Sequence, residues 1–176
     1  MGDSVQDLET IRVRKEAPIC TIQIHRPEAN NTINRTLLDE MWQVLSGCDD
    51  TIRVVVLEGL PEVFCFGGDF AEIRDAVKGG SGSAEPERLY ELWQLLAEGP
   101  WVSIAHVRGK TNAGGIGFVA ACDIVIADDK AVFSLSELLF GLLPACVLPF
   151  LIRRIGFQKA NYMTLMTQPV TIEEAY

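Results

Sequence analysis

At 176 residues, 48% of them apolar, the chain is long enough to bury a sizeable core and fits a single domain over 1–176. Fifteen Lys and Arg against 24 Asp and Glu leave a formal net charge of −9, which disfavours non-specific nucleic-acid binding, and no Lys/Arg stripe with interleaved aromatics offsets it. The longest uncharged stretch, 138–152, is too short to cross a bilayer and is broken by Pro144 and Pro149; Met1-Gly2-Asp3-Ser4-Val5 lacks the basic start and apolar core of a secretory signal, so a cytoplasmic protein with no membrane span is expected.

Residues 11–24 alternate apolar and polar around Pro18, which predicts two strands of a hairpin at 11–15 and 19–25. His25-Arg26-Pro27-Glu28 breaks that pattern. Asn34 or Thr36 is placed to cap a helix over 37–48, where Leu37, Leu38, Met41, Leu45 and Cys48 share one face. Val54-Val55-Val56-Leu57 reads as a buried strand, and a short extended piece over 63–66 runs into Gly67-Gly68-Asp69. A helix is expected over 70–77, followed by a flexible surface loop, Lys78-Gly79-Gly80-Ser81-Gly82-Ser83-Ala84-Glu85-Pro86. Next come a helix over 87–98 with Leu89, Leu92, Trp93 and Leu96 on one side, a strand over 102–107, a second glycine turn over 109–117, a helix over 115–121 and a strand over 124–127. After Pro144 the chain reads as helical to 155 and again over 159–166, and Thr171 caps the start of a further helix. Buried strands alternating with helices place the fold in the α/β class, without internal repeats.

Several chemistries lack their minimal parts. Five cysteines are scattered without a CxxC pair, mostly inside apolar runs, and are read as buried free thiols. With only His25 and His106 and no His/Cys cluster at ligand spacing, no metal site is expected. His106, in a core strand by its flanks, reads as a satisfied, partly buried histidine. Residues 115–120 match a GxGxxA pattern, but six residues separate Arg108 from Gly115 where a dinucleotide turn follows its strand at once. Neither a GxSxG elbow nor a Walker lysine is present. The basic clusters Arg12-Arg14-Lys15 and Arg153-Arg154-Lys159 read as solvated surface.

Two glycine turns and a carboxylate remain: Phe66-Gly67-Gly68-Asp69, then Gly109-Lys110-Thr111-Asn112-Ala113-Gly114-Gly115-Ile116-Gly117, then Ser136-Glu137. Glycines let the backbone approach a ligand so that main-chain N–H groups hold a developing oxyanion, and a nearby carboxyl group moves the proton. Taken singly, Glu137 is equally a helix-start carboxylate and Asp69 a helix cap.

In chain order these blocks resemble the crotonase (enoyl-CoA hydratase) superfamily over nearly the whole chain, with His25-Arg26-Pro27-Glu28-Ala29-Asn30-Asn31 fitting its first strand-to-helix segment. Asn30-Asn31-Thr32-Ile33-Asn34, the stretch from Leu57 to Gly67, and Ser134-Leu135-Ser136-Glu137-Leu138-Leu139-Phe140-Gly141 are most similar to the polyketide-biosynthesis homologues that act in β-branching, specifically the dehydratase of the pair. The resemblance implies a spiral of β/β/α units and loss of water from a 3-hydroxy-3-methylglutaryl thioester on an acyl carrier protein, giving the 3-methylglutaconyl thioester, with no cofactor beyond the carrier's phosphopantetheine.

Carried over by position, the resemblance makes the N–H groups of Gly68 and Gly114 the oxyanion hole and Glu137 the catalytic acid and base. Gly117 stands where ordinary hydratases carry a second glutamate, so one carboxylate is missing, and the position is read as room for a branched, charged substrate. Asp69, Lys110 and Asn112 are substrate-binding candidates, Lys110 or Asn112 for the free carboxylate, and Arg26 for the phosphopantetheine arm. The family forms trimers or paired trimers through C-terminal helices; this chain stops before them and is read as either a fragment or a C-terminally truncated form. The same resemblance leaves open another reaction on this fold, a hydration or a decarboxylation, and a non-catalytic module that only binds the carrier protein.

Overall fold

The computed structural model describes residues 4–69 and 86–175. The helix expected over 70–77 and the loop over 78–85 lie outside the described residues. The strands are β1 (Ser4–Asp7), β2 (Ile11–Glu16), β3 (Ile19–Ile24), β4 (Val54–Glu58), β5 (Val63–Cys65), β6 (Val102–Val107), β7 (Lys110–Asn112), β8 (Ile124–Ala127), β9 (Val132–Ser134) and β10 (Val170–Thr171). The α-helices are α1 (Arg35–Ser46), α2 (Pro86–Glu98), α3 (Gly114–Ala121), α4 (Leu148–Met166) and α5 (Ile172–Ala175), and short 3-10 turns occupy Pro27–Ala29 and Glu137–Phe140.

The alternation seen in the sequence becomes an antiparallel β2–β3 hairpin that sets Ile11 opposite Ile24 and Val13 opposite Ile22, all four buried. β3, β4, β6 and β8 continue the sheet in parallel, in the order β1-β2-β3-β4-β6-β8. Helix α1 is capped as expected, with the Asn34 side chain accepting from the Leu37 N–H at 2.9 Å. It buries Leu37, Leu38, Met41, Val44 and Leu45.

A second, smaller sheet runs β10-β9-β7-β5, with β5, β7 and β9 parallel. Successive strands are therefore dealt to the two sheets in turn: β4 then β5, β6 then β7, β8 then β9, with α3 following β7 and α4 following β9. Because β5, β7 and β9 are parallel neighbours, their C-terminal ends lie along one edge of the small sheet. The three segments leaving that edge carry Gly68, Gly114 and Glu137.

One core joins both sheets and the helices, with Trp93, Phe64 and Phe118 its largest fully buried side chains. Trp93 meets Phe118 and Phe150 edge-on, at 5.9 Å in each case. Asn31 ties the hairpin to β5: its amide donates to the carbonyls of Ile24, Val63 and Phe64, each at 3.1 Å, and its side-chain oxygen accepts from the Arg26 N–H at 2.7 Å. Helix α4 is interrupted at Gly156 (φ 77°, ψ 161°), between the two helical stretches read from the sequence. Among the described residues no helix is long and apolar enough to cross a membrane. The five thiols are free, with Cys20, Cys65 and Cys122 buried and Cys48 and Cys146 partly covered.

Candidate active site

Gly67 leaves β5 with φ of +90°, a left-handed conformation that suits glycine; a Cβ there would stand 2.7 Å from the Cβ of Ala113. The turn is held by a single parallel bridge to the segment before α1. Ile33 donates to the Gly67 carbonyl at 2.7 Å and accepts from the Asp69 N–H at 2.9 Å. The N–H of Gly68, between those two bonds, points to the opposite side of the chain.

The second turn comes against the first because α3 packs its start directly on β5. A Cβ on Gly115 would collide with the Cys65 carbonyl. Ala113, at φ 50° and ψ −121°, makes the sharp entry to α3, and its N–H donates to the Ser134 carbonyl at 3.0 Å. Gly114 is the first residue of the helix, so its N–H has no intrahelical acceptor. Neither the Gly68 nor the Gly114 N–H has an acceptor among the described residues.

Glu137 opens the 3-10 turn after β9, which is closed by the left-handed Gly141 (φ 72°) and by the Leu142 N–H donating to the Glu137 carbonyl at 3.0 Å. Buried Phe133 and Leu135 alternate with Ser134 and Ser136 and pin the segment to the core. The carboxyl is half-buried, and desolvation raises its pKa above the ordinary glutamate value; hydrogen bonds from the backbone N–H groups of Glu137 and Ser136 oppose the rise without cancelling it. Its Oε2 is buried with no hydrogen-bond partner.

Gly68, Gly114 and Glu137 line one cavity of about 480 Å3, together with Asp69, Asn112 and Trp93. Two free backbone donors, a carboxyl with an unused oxygen and apolar walls form an arrangement fit for proton transfer beside an oxyanion. A larger groove of about 910 Å3, between α3, β8 and the helices at the chain's C-terminal end, is lined mainly by apolar side chains and holds none of these groups. No cluster of metal-ligating side chains exists among the described residues.

The other sequence candidates separate. Asn112 lines the cavity, but its amide donates to Ser136 Oγ and its oxygen accepts from Ser134 Oγ, both at 2.8 Å, so it braces the segment that carries Glu137. Asp69 lines the cavity and pairs with Arg26 at 3.4 Å. Arg26 is not among the lining residues; its guanidinium, mostly buried, is held by Thr32 and Asp69. Lys110 is exposed at the start of β7 and does not line the cavity either.

The space expected at Gly117 is not open. The six-membered ring of Trp93 lies against it, and a Cβ there would collide with the indole. Periodicity marked Trp93 only as part of an apolar helix face, and nothing local in the sequence signals its partner on another helix. The Ser134–Asn112–Ser136 bracing was equally missed; its one local trace is serine alternating with buried Phe133 and Leu135.

Residues 14–176 match the family described as Enoyl-CoA hydratase/isomerase. The chain is 65% identical over 169 residues to the bacillaene synthase dehydratase PksH of Bacillus subtilis (strain 168), covering 95% of this chain and 65% of that protein's length. A crystal structure of pksH from Bacillus subtilis superposes with a TM-score of 0.91 at 63% identity, over 96% of this chain and 68% of that one. An enoyl-CoA hydratase/isomerase from Marinobacter aquaeolei superposes with a TM-score of 0.88 at 28% identity, over 96% of this chain and 67% of that one. The β/β/α arrangement described above is thus the crotonase fold.

Proposed function

The chain belongs to the enoyl-CoA hydratase/isomerase family, and we propose that it serves as a dehydratase of 3-hydroxyacyl thioesters in polyketide biosynthesis, acting on 3-hydroxy-3-methylglutaryl carried by an acyl carrier protein. The observation that carries this reading is the single cavity in which two unpaired backbone donors, Gly68 and Gly114, accompany a half-buried carboxyl with an unpaired oxygen, Glu137. The similarity to the bacillaene synthase dehydratase supports the direction of reaction and the class of pathway.

In the proposed reaction the thioester oxygen accepts from the Gly68 and Gly114 N–H groups, which makes the α-proton more acidic. Glu137 takes that proton from C2, leaving an enolate whose charge rests on the two donors. The C3–O bond then breaks, C2=C3 forms, and Glu137 returns the proton to the departing hydroxyl, so that one water leaves and the carboxylate is regenerated. One carboxyl group serves both transfers when both groups depart from the same face. Each oxyanion donor is typically worth about 2.7–4 kcal/mol in the transition state. Asn112 positions Glu137 through Ser134 and Ser136, and Asp69 holds the Gly68 turn through Arg26.

Intact-protein mass spectrometry of the 3-hydroxy-3-methylglutaryl carrier protein, incubated with this chain and with Glu137→Gln, tests the reading. Loss of one water with the parent and not with the variant is expected. Loss of carbon dioxide, or unchanged cargo from a chain shown to be folded, would overturn it.

A further inference from the structure

We propose that Trp93 is a substrate-binding and specificity-determining residue of this site: its indole N–H donates to the oxygen on C3 of the acyl chain, the oxygen that departs as water. This rests on the dehydratase reading.

Trp93 is fully buried, and its Nε1 has no acceptor among the described residues. The same residue lines the cavity of Gly68, Gly114 and Glu137. An apolar side chain would fill its place without leaving a polar group stranded, so a buried indole N–H facing no acceptor is disfavoured until a ligand supplies one. Glu137 Oε2 is stranded in the same way. Trp93 and Glu137, which both line this cavity, thus carry one unpaired donor and one unpaired carboxyl oxygen beyond the two backbone N–H groups.

This role commits the acyl chain to one pose. The indole lies against Gly117, three residues after Gly114 on α3, a rise of about 4.5 Å along the helix. The Gly114 N–H points back out of the helix start, so this role requires the acyl chain to turn from the thioester oxygen toward Gly117, which brings the substituents of C3 to the indole. The indole N–H is a donor only and gives up no proton. The proton taken from C2 therefore still reaches the C3 oxygen through Glu137, while Trp93 orients that oxygen and favours its developing negative charge. The enoyl product has no oxygen at C3, so the contact discriminates substrate from product.

Trp93→Phe retains an aromatic ring beside Phe118 and Phe150 and removes the N–H. In a Glu137→Gln background, which prevents turnover, the dissociation constants of the 3-hydroxy-3-methylglutaryl and 3-methylglutaconyl carrier proteins are measured with and without Trp93→Phe. A loss of roughly tenfold for the hydroxyacyl form alone is expected for one neutral hydrogen bond; equal changes for both forms would overturn the assignment. A second readout does not depend on the variant's stability: in the 15N-tryptophan-labelled Glu137→Gln chain, one of the three indole N–H signals, assigned to Trp93, moves downfield with the hydroxyacyl form and not with the enoyl form. Turnover by the parent with a silent indole overturns the Trp93 assignment alone. A responding indole without turnover overturns the dehydratase reading alone.

Discussion

Burial and hydrogen bonding pull the Glu137 carboxyl in opposite directions, and burial prevails. A group whose pKa is raised on folding adds stability below its unfolded value and loses it as pH rises through the folded value, because the folded state then holds a charge it solvates poorly. Glu137→Gln removes that cost. Thermal melts are therefore expected to show the variant at least as stable as the parent at neutral pH, with the difference vanishing below about pH 4, where both side chains are neutral. A variant destabilised at neutral pH and restored in acid would contradict the burial argument. In the proposed reaction Glu137 acts as the base and must be ionised, so the acid limb of kcat/KM is expected above the ordinary glutamate value. A limb at or below that value would place the proton transfer on another group.

At the scale of elements, the site depends on how closely α3 approaches β5. Gly115 permits that approach, since a methyl there meets a backbone carbonyl, which cannot rotate away as a side chain does. Gly115→Ala is expected to cost about 1–3 kcal/mol of stability through overpacking, and to lower kcat because the Gly68 and Gly114 donors move apart. Urea unfolding together with steady-state kinetics checks both; an unchanged midpoint and unchanged kcat would mean that the contact between α3 and β5 relaxes freely. Secondary-structure signals were clear where an element buries one face. The hairpin strands, α1 and α2 follow their apolar periods closely, whereas β6 buries Ser103 and exposes Val102, and β8 is apolar throughout with Ile124 and Ile126 exposed. β1 is polar and exposed at a sheet edge, and β7 and β9 are three residues each, too short to display a period of two. For that reason β7 and β9 of the small sheet, which carries the site, were not revealed by the pattern, while β5 falls within the extended piece read over 63–66.

Across the whole molecule, a single cluster of buried side chains runs from the β2–β3 hairpin through Trp93 and Phe118 to Phe150 and Ala160. Both sheets therefore share one core, and thermal unfolding followed by far-UV circular dichroism and by tryptophan fluorescence is expected to give coincident transitions. Two separated transitions would mean that the small sheet and its helices unfold as their own unit. The chain spans 65% of the length of its bacillaene synthase relative, and the large apolar groove lies between α3, β8 and α4 among the described residues.

Local chemistry in the sequence determined the α/β class, the Asn34 cap of α1 and the glycine turns, because apolar period, cap residues and turn residues act within a few positions of one another. It also singled out Gly68, Gly114 and Glu137, through the order of blocks that resemble one family. Tertiary structure alone decided that these three residues share a cavity, that Asn112 is spent on two serines, that Arg26 is held by Thr32 and Asp69, and that Trp93 fills the place beside Gly117. Each of those outcomes joins elements far apart in the chain. Parallel pairing of β5, β7 and β9 and the packing of α2 on α3 bring them together, and neither leaves a mark in any short window of residues.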